Sequence, residues 1–298
     1  MSMGCAYGIV AYGDDAGALP SIVEAALDEV DRIDRLMSHY KPESPLSRLN
    51  REAGRGAVAV DPELFDLIAE AICYSRWSDG AFDITVGPLM KAWGFFRGEG
   101  RVPSDEELRE LRSRVGYRLV SLDVSGKTIG LAPGVELDLG GIAKGYAVDR
   151  AVAVLESRGV AAALVSAGGS TIFGLRAPPG ESGWKVDVQD PLDGRKNTLS
   201  VVLRNRALSV SGSSEKSFEK NGVTYSHIMD PRTARPVRGI LSVAVLTGSG
   251  TAGDALDNVF FVQGVKKTRQ SIERLRGTEA FFFLPRSHGR FDRVHVGN

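Results

Sequence analysis

The hydrophobic positions of the chain recur with a helical period in several separate segments. Between Ser21 and Met37 apolar residues return every three or four positions, which predicts an amphipathic helix. The pattern Ser21-x-x-Glu24 predicts a capping box at the start of this helix. Further helices are predicted to begin at Asp61-Pro62 and at Ser104-x-x-Glu107, and to cover 141–158, 251–262 and 265–275.

Other segments alternate between apolar and polar residues, or form short apolar runs bounded by glycine and proline, which predicts strands. These segments are RLVSLDV, TIGLAPGVELDL, ALVSAGG, WKVDV, LSVVL, ILSVAVL and AFFFLP. Helices and strands do not alternate regularly, so the pattern favours the α+β class over a doubly wound parallel sheet. No segment has the composition of a linker, so residues 1–298 are predicted to form a single domain, and the polar tail RSHGRFDRVHVGN is expected to fray.

The composition limits the partners that the chain can bind. The chain has 37 Lys and Arg residues and 37 Asp and Glu residues, so no bulk attraction for nucleic acid or an anionic membrane is expected. No run approaches the ~18 apolar residues that a membrane-spanning helix needs. The absence of a signal peptide or lipobox pattern favours a cytoplasmic location. Cys5 and Cys73 form no Cys-x-x-Cys pair, so neither a disulfide framework nor a thiolate zinc site is expected.

Several common motifs are absent from the sequence. SGSSEKS lacks the glycine and lysine spacing of a phosphate-binding P-loop, and GGSTIFG does not match the dinucleotide-binding pattern G-x-G-x-x-G. No G-x-S-x-G hydrolase motif is present. The four histidines do not have the spacing of zinc ligands, and among them only His227 has neighbours that indicate chemistry.

The segment from Asp138 to Lys144 has the composition of an anion-binding site. An acid ends a predicted strand, two glycines expose the backbone, and a lysine lies in the first turn of a predicted helix. Helix N-terminal N–H groups and the helix dipole attract phosphate, while a lysine there is unfavourable by itself and requires a partner. A glycine turn beside a solvated lysine is the alternative interpretation.

Asp254 and Asn258 are candidate ligands for a metal ion. They lie four positions apart on a predicted helix, so their oxygens face the same way and could share a hard cation such as Mg²⁺. The pattern Thr251-x-x-Asp254 also fits a helix cap, with the acid near the positive end of the helix. Both interpretations stay open on the residues alone.

Two loops carry further candidate groups. In Asp79-Gly-Ala-Phe-Asp83 an aromatic residue lies between two acids after a helix, although an Asx turn that ends the helix explains the same residues. In Tyr225-Ser-His227-Ile-Met-Asp230 a histidine lies where a strand gives way to a loop. Histidine exchanges protons near neutral pH more readily than other side chains, and a purely structural histidine is the alternative.

Taken in order, these segments resemble the ApbE family of FAD:protein FMN transferases over nearly the whole chain. The matching segments are MGCAYG, MSHYKPESPLSRLN, DGAFDITVGPL, DLGGIAKGYAVD, HIMDPRTARPV and GDALDNVFFVQG. The resemblance implies an α+β fold with a T-fold-like mixed sheet and packed helices. It also implies an enzyme that binds FAD and Mg²⁺, transfers FMN to a threonine of a flavin-dependent redox subunit through a phosphoester bond, and releases AMP.

The resemblance implies roles for individual residues, by matching position. Those expected to contact FAD are Met37, Tyr40, Ala81, Phe82, Asp83, Asp138, Lys144, His227 and Ile228. Gly141, through its backbone carbonyl, and Asp254 are expected to ligate Mg²⁺, together with Asn258 where the family usually has threonine. His227, Asp254 and Lys144 are expected to act in catalysis, His227 as the base for the incoming threonine hydroxyl.

The chain departs from the family pattern beside the histidine. Ser226-His227 stands where two histidines are usual, and Ala234 replaces the glycine of the D-P-x-T-G turn, at a position that favours positive φ. Two other functions stay open: an FAD diphosphatase, in which water replaces threonine and FMN and AMP are released, and an FAD-binding protein without catalysis. Family members commonly work in the bacterial cell envelope, which is the alternative to a cytoplasmic location.

Overall fold

The computed structural model describes residues 2–96 and 99–297. Its helices are α1 (Leu19–Met37), α2 (Pro45–Glu52), α3 (Pro62–Trp77), α4 (Gly87–Ala92), α5 (Asp105–Arg112), α6 (Ala143–Ser157) and α7 (Gly250–Ile272), with a 3-10 turn at Tyr117–Leu119. The predicted starts of α3 and α5 are confirmed, because Asp61 and Ser104 accept hydrogen bonds from backbone N–H groups of their first turns. Among the described residues, no helix has the length and apolar character needed to cross a bilayer.

The described strands are short and almost all antiparallel. They are β1 (Tyr7–Tyr12), β2 (Val58–Ala59), β3 (Val120–Asp123), β4 (Thr128–Leu131), β5 (Ala162–Ala167), β6 (Thr171–Leu175), β7 (Trp184–Gln189), β8 (Asn197–Leu203), β9 (Arg206–Gly212), β10 (Ser217–Lys220), β11 (Val223–Ser226), β12 (Met229–Asp230), β13 (Arg235–Pro236), β14 (Ser242–Thr247), β15 (Glu279–Arg286) and β16 (Arg290–Gly297). This mixture of helices and antiparallel sheet is the predicted α+β class.

The described chain divides into two compact units. The first, called the sheet unit, contains residues 2–34, 142–212 and 239–297. The second, called the cleft unit, contains residues 35–96, 99–141 and 213–238. A single domain over residues 1–298 stays a prediction.

The sheet unit is built on a seven-stranded antiparallel sheet in the order β1-β5-β6-β9-β14-β15-β16. Helix α6 lies against β5 and β6, α7 lies against β9 and β14, and the two helices contact each other. The hairpin β7–β8 packs Trp184 and Val186 into a cluster with Ala244 and Phe283. All six residues of β14 are buried, as expected for a strand that is covered on both faces.

The two helices predicted for residues 251–262 and 265–275 are confirmed as two parts of α7. Gly264 interrupts the helical dihedral angles with φ 71° and ψ 174°. Glycine adopts a positive φ at little cost because it has no Cβ. The non-helical angles at Gly264 change the direction of the chain. The N-terminal part of α7 carries Asp254 and Asn258.

Two expectations for the sheet unit are wrong, and two of its strands were not predicted. The C-terminal tail does not fray, because residues 290–297 form β16 and pair along the whole of β15, where the rings of His295 and Phe281 stack. Strands β6 and β9, which lie between predicted elements, were not predicted. Ser21 does not cap α1, since the helix begins at Leu19 and the Ser21 hydroxyl donates to the Ala18 carbonyl.

The cleft unit combines α2 to α5 with the three-stranded sheet β2-β4-β3 and the two hairpins β10–β11 and β12–β13. Its core includes Leu89, Leu108 and Met229 around Trp93, whose indole N–H donates to the Ala234 carbonyl at 3.0 Å. Ala234 has φ 59°, so the positive φ expected at this position is confirmed. Such a conformation is unfavourable for alanine.

The segment TIGLAPGVELDL is predicted to form strands joined by a turn, but only its first part forms a strand, β4. After a turn at Pro133 and Gly134, Glu136 makes an isolated bridge to Val86, and the next backbone groups pair with a side chain and a loop instead of a strand. The side-chain amide of Asn50 donates to the Leu137 carbonyl at 2.9 Å and accepts from the Leu137 N–H at 2.8 Å. The next N–H, of Asp138, donates to the Ile84 carbonyl at 2.7 Å. These bonds determine the position of Asp138.

Candidate functional site

The cleft unit contains a cavity of about 210 Å³ beside the segment that carries Asp138. Its lining includes His39, Phe96 and Asp138, together with the charged side chains of Lys91 and Glu136. Lys91 and Glu136 form an ion pair. The cavity therefore combines flat aromatic surfaces with charges of both signs, which is typical of a site for a planar polar ligand.

Three rings form an aromatic cluster at this cavity. The ring centroids of His39 and Tyr40 are 4.0 Å apart, those of His39 and Phe96 5.0 Å, and those of Tyr40 and Phe96 4.9 Å. Lys216 lies over the Tyr40 ring at 5.8 Å from its centroid. Tyr40, predicted from the family resemblance to contact FAD, is thus close to the cavity, whereas Met37, with the same predicted role, is only 2% exposed.

His39 and Asp138 face each other at the cavity. His39 Nδ1 lies 3.2 Å from Asp138 Oδ1, and both side chains are largely buried. The same Asp138 oxygen accepts a hydrogen bond from the Gly140 N–H at 2.8 Å. Burial lowers the pKa of the His39 imidazole below its usual range, and Asp138 acts in the opposite direction. The imidazole is therefore neutral at neutral pH.

The loop after α3 is organised by Asp83. Its Oδ1 accepts from the N–H of Thr85 at 2.9 Å and from the Thr85 hydroxyl at 2.7 Å, and its Oδ2 accepts from the Tyr117 N–H at 2.7 Å. These bonds form an Asx turn at Asp83, which lies beyond the end of α3 at Trp77 and is therefore not the turn that was predicted to end this helix. Burial raises the pKa of the Asp83 carboxyl. Ala81 and Phe82 are also buried, and contact of these three residues with FAD stays a prediction.

His227 is held through its backbone and its ring by one carbonyl group. Its N–H donates to the Lys216 carbonyl at 2.9 Å, and its Nδ1 lies 3.2 Å from the same oxygen. A hydrogen on Nδ1 satisfies this carbonyl and leaves Nε2 as the basic nitrogen. The neighbouring Ile228 is buried. The geometry is that of an oriented imidazole, which is what a general base requires.

In the sheet unit, α6 and α7 bind each other's first turns. Asp254 of α7 is 3% exposed, and its Oδ2 accepts from the Gly145 N–H of α6 at 3.0 Å. In return, Asp149 of α6 accepts from the N–H groups of Gly250 and Thr251 at 2.6 and 2.8 Å, and from the Thr251 hydroxyl at 2.6 Å. The predicted cap Thr251-x-x-Asp254 is wrong, because Ser249 caps α7, and Asp254 instead accepts an N–H group from the first turn of α6.

Lys144 lies in the same first turn of α6. Its Nζ donates to the Ser170 hydroxyl at 2.8 Å. Burial raises the pKa of Asp254, and the positive charge of Lys144 acts in the opposite direction. Two of the three predicted catalytic residues, Lys144 and Asp254, are thus brought together.

The residues around Asp254 have the chemistry of a site for a hard cation. Burial disfavours the ionised form of the Asp254 carboxyl, and a cation bound beside it would offset this cost. The Asn258 amide N–H₂ donates to the Asp254 carbonyl at 2.8 Å and to the Asp257 carboxylate at 2.9 Å, which leaves its oxygen as the group that can bind a metal. Among the described residues no group of three or more His, Cys, Asp or Glu side chains could hold a metal ion. The carbonyl of Gly141, in the cleft unit, stays a predicted ligand.

Sequence reasoning missed the parts of the site that support these residues. Asp149 lies within the matched segment DLGGIAKGYAVD, and Asn50 ends the segment MSHYKPESPLSRLN, but neither was predicted to act. The view that only His227 among the histidines has informative neighbours is wrong, because His39 contacts Asp138. The position of His39 next to Tyr40 was the available indication.

The fold is α+β with charged and aromatic groups at a cavity, and comparisons with known proteins identify the class as the flavin transferases. The model of the ApbE family matches residues 3–282. The FAD:protein FMN transferase of Treponema pallidum is 34% identical to the chain, over 92% of this chain and 82% of that protein. The enzyme of the same name from Escherichia coli K12 is 30% identical, over 88% and 76% of the two chains.

Solved structures agree with the sequence comparisons. The ApbE protein of Thermotoga maritima superimposes with a TM-score of 0.90 at 32% identity, covering 99% of this chain and 95% of that one. The flavin transferase ApbE of Vibrio cholerae gives a TM-score of 0.85 at 28% identity, with the same coverage. The chain belongs to the ApbE family.

Proposed function

We propose that this enzyme transfers the FMN part of FAD to a threonine hydroxyl of an acceptor protein. The threonine oxygen forms a phosphoester bond to the FMN phosphorus, while the bond from that phosphorus to the bridging oxygen of the diphosphate breaks. AMP leaves with the bridging oxygen, and the threonine proton passes to a base. The acceptor would be a flavin-dependent redox subunit.

The observation that carries the proposal is the pairing of Lys144 with buried Asp254 in the first turns of two helices. Phosphoryl-type transfer depends mainly on positioned charge, and a lysine in the first turn of a helix adds its charge to the positive end of the helix dipole. The names of the Treponema pallidum and Escherichia coli relatives support FAD as the flavin donor and a protein as the acceptor.

We assign tasks in this reaction to the predicted catalytic and metal-binding residues. Lys144 would bind the diphosphate of FAD, and Nε2 of His227 would take the proton of the threonine hydroxyl. Asp254, the Asn258 amide oxygen and the Gly141 carbonyl would hold Mg²⁺. When bound, Mg²⁺ would neutralise charge on the diphosphate. The two negative charges of the diphosphate are the reason that a cation is required.

The test is to incubate the protein with FAD and Mg²⁺, with and without an acceptor domain that carries a threonine flavinylation motif, and to separate the products under denaturing conditions. The proposal predicts covalent flavin fluorescence on the acceptor together with AMP. Free FMN and AMP without dependence on the acceptor would establish the diphosphatase instead, and unreacted FAD would support the binding protein.

Two variants test the assigned residues. Asp254→Ala should reduce transfer at least ~100-fold, because the buried carboxylate is the anionic group available to the metal. His227→Ala should reduce the transfer rate while FAD binding is retained. His288→Asn is the matched control, since His288 is exposed on a turn with φ 62°, which asparagine tolerates. Full transfer by His227→Ala would exclude His227 as the base.

A further inference from the structure

His39, which lines the cavity of the cleft unit, has a ring nitrogen that lacks a hydrogen-bond partner among the described residues. Among the described residues, Nε2 of His39 is buried and makes no hydrogen bond. A buried acceptor that lacks a donor costs about 1–3 kcal/mol of folding free energy. Such atoms are rare in folded proteins and require an explanation.

The tautomer of His39 determines what Nε2 can do. Nδ1 faces the Asp138 carboxylate at 3.2 Å, so the hydrogen of the neutral ring belongs on Nδ1. Nε2 then carries a lone pair and can only accept a hydrogen bond. A suitable partner must therefore present an N–H or O–H group.

The surroundings of His39 indicate what kind of molecule brings that donor. The imidazole stacks with Tyr40 and Phe96, and the cavity that it lines is large enough for a ring system but not for a complete dinucleotide. A planar heterocycle with an N–H on its edge fits the aromatic walls and the unpaired acceptor at the same time. FAD has two such groups, the imide N–H of the isoalloxazine and the exocyclic amino group of adenine.

We propose that His39 is a specificity-determining residue, whose Nε2 accepts a hydrogen bond from an N–H group on the edge of one ring system of FAD. This inference rests on the proposed function only in taking FAD as the substrate. It adds a residue that was not among those predicted from the sequence or from the family resemblance.

The proposal gives FAD binding a dependence on pH. Protonation places a hydrogen on Nε2 and converts it from an acceptor into a donor, so the bond to the substrate N–H is lost. The charged groups that face His39 are Asp138 and Glu136, which favour protonation, and Lys216 and Lys91, which oppose it. Affinity for FAD is therefore expected to fall as the pH falls through the range in which His39 gains its proton.

Three substitutions distinguish the role of Nε2 of His39 from that of Nδ1. His39→Phe keeps a planar ring but removes both nitrogens. His39→Asn places an amide near the Nδ1 position, beside Asp138, and provides no acceptor where Nε2 was. His39→Gln can place its amide oxygen near the Nε2 position, and this oxygen does not titrate. His288→Asn, at an exposed turn, is again the control.

The experiment measures the Kd for FAD by calorimetry without acceptor and with EDTA, so that no transfer competes. His39→Phe and His39→Asn should bind FAD about tenfold more weakly at neutral pH, as expected for one lost hydrogen bond, whereas His39→Gln should stay within about threefold of the native protein. As the pH falls below the ordinary imidazole range, the native Kd should rise until His39 is protonated, and that of His39→Gln should not change. NMR titration of the His39 ring protons should follow the same pH range.

Repeating the titrations with FMN and with ADP identifies the ring, because the effect of His39→Asn should appear with only one of the two.

Native protein that binds FAD while all three variants bind it equally, at every pH, would overturn the role of His39 and leave the transferase intact. Native protein that binds no FAD would overturn both proposals. Normal FAD binding with the expected His39 effects, but no transfer to an acceptor, would overturn the transferase alone.

Discussion

The two units hold their acidic residues in different ways. In the sheet unit, Asp254 and Asp149 each accept backbone N–H groups from the other's helix, so the first turns of α6 and α7 satisfy each other. In the cleft unit, Asp138 contacts Nδ1 of His39, and Nε2 of the same ring has no hydrogen-bond partner among the described residues. The first arrangement fixes charge in place before substrate arrives, and the second leaves a bond for the substrate to make.

The strongest way to break the sheet-unit arrangement is to separate the two helices. A Cβ atom on Gly145 would lie 2.0 Å from the carbonyl oxygen of Gly250, which is backbone and cannot rotate away. Gly145→Ala is therefore expected to lower the free energy of unfolding by about 3 kcal/mol or more, despite the better helix propensity of alanine. Urea denaturation followed by circular dichroism measures this. Gly56→Ala is the control, since nothing lies within 4 Å of its added Cβ.

A second prediction removes the cap and keeps the helix packing. Asp149→Ala leaves the N–H groups of Gly250 and Thr251 without their acceptor, which should cost about 2 kcal/mol of stability. Asp254 lies on α7, the helix that loses these hydrogen bonds, so transfer activity should also require a higher Mg²⁺ concentration. The exposed Asp28 on α1 provides the control Asp28→Ala. A variant with native stability and native Mg²⁺ requirement would show that α7 is held by packing alone.

The corresponding prediction for the cleft unit concerns Asn50. Asn50→Ala removes both hydrogen bonds to the backbone of Leu137, with an expected loss of about 1.5 kcal/mol, smaller than that for Asp149 because no charged group takes part. Since the same bonds position Asp138, affinity for FAD should fall as well. Asn197→Ala is the control, because this exposed amide donates to the side chain of Asp187. Native FAD affinity in Asn50→Ala would mean that Asp138 is positioned by its other contacts.

These differences also explain how far sequence reasoning reached. The caps at Asp61 and Ser104 and the break at Gly264 were predictable, because each depends on residues within a few positions of one another. The pairing of Asp149 with Gly250 joins residues 101 positions apart, and that of Asn50 with Leu137 joins residues 87 apart. Local patterns contain no information on such contacts. The same holds for β16, whose polar residues form a strand because β15 lies beside them.

The smallest expected effect concerns the buried carboxylate of Asp83. Burial raises the pKa of Asp83 although Thr85 and Tyr117 donate to it, so ionisation costs the folded protein more than the unfolded chain. The stabilisation that the protonated form gives is complete below the unfolded pKa and is lost as the pH rises through the folded pKa. The free energy of unfolding of the native protein should therefore fall, relative to that of Asp83→Asn, as the pH rises through this range. Urea titrations of both proteins at a series of pH values measure the difference, with Asp28→Asn as the exposed control. A difference that grows in favour of the native protein with rising pH would mean that the donors from Thr85 and Tyr117 outweigh burial, and that Asp83 is held as an anion.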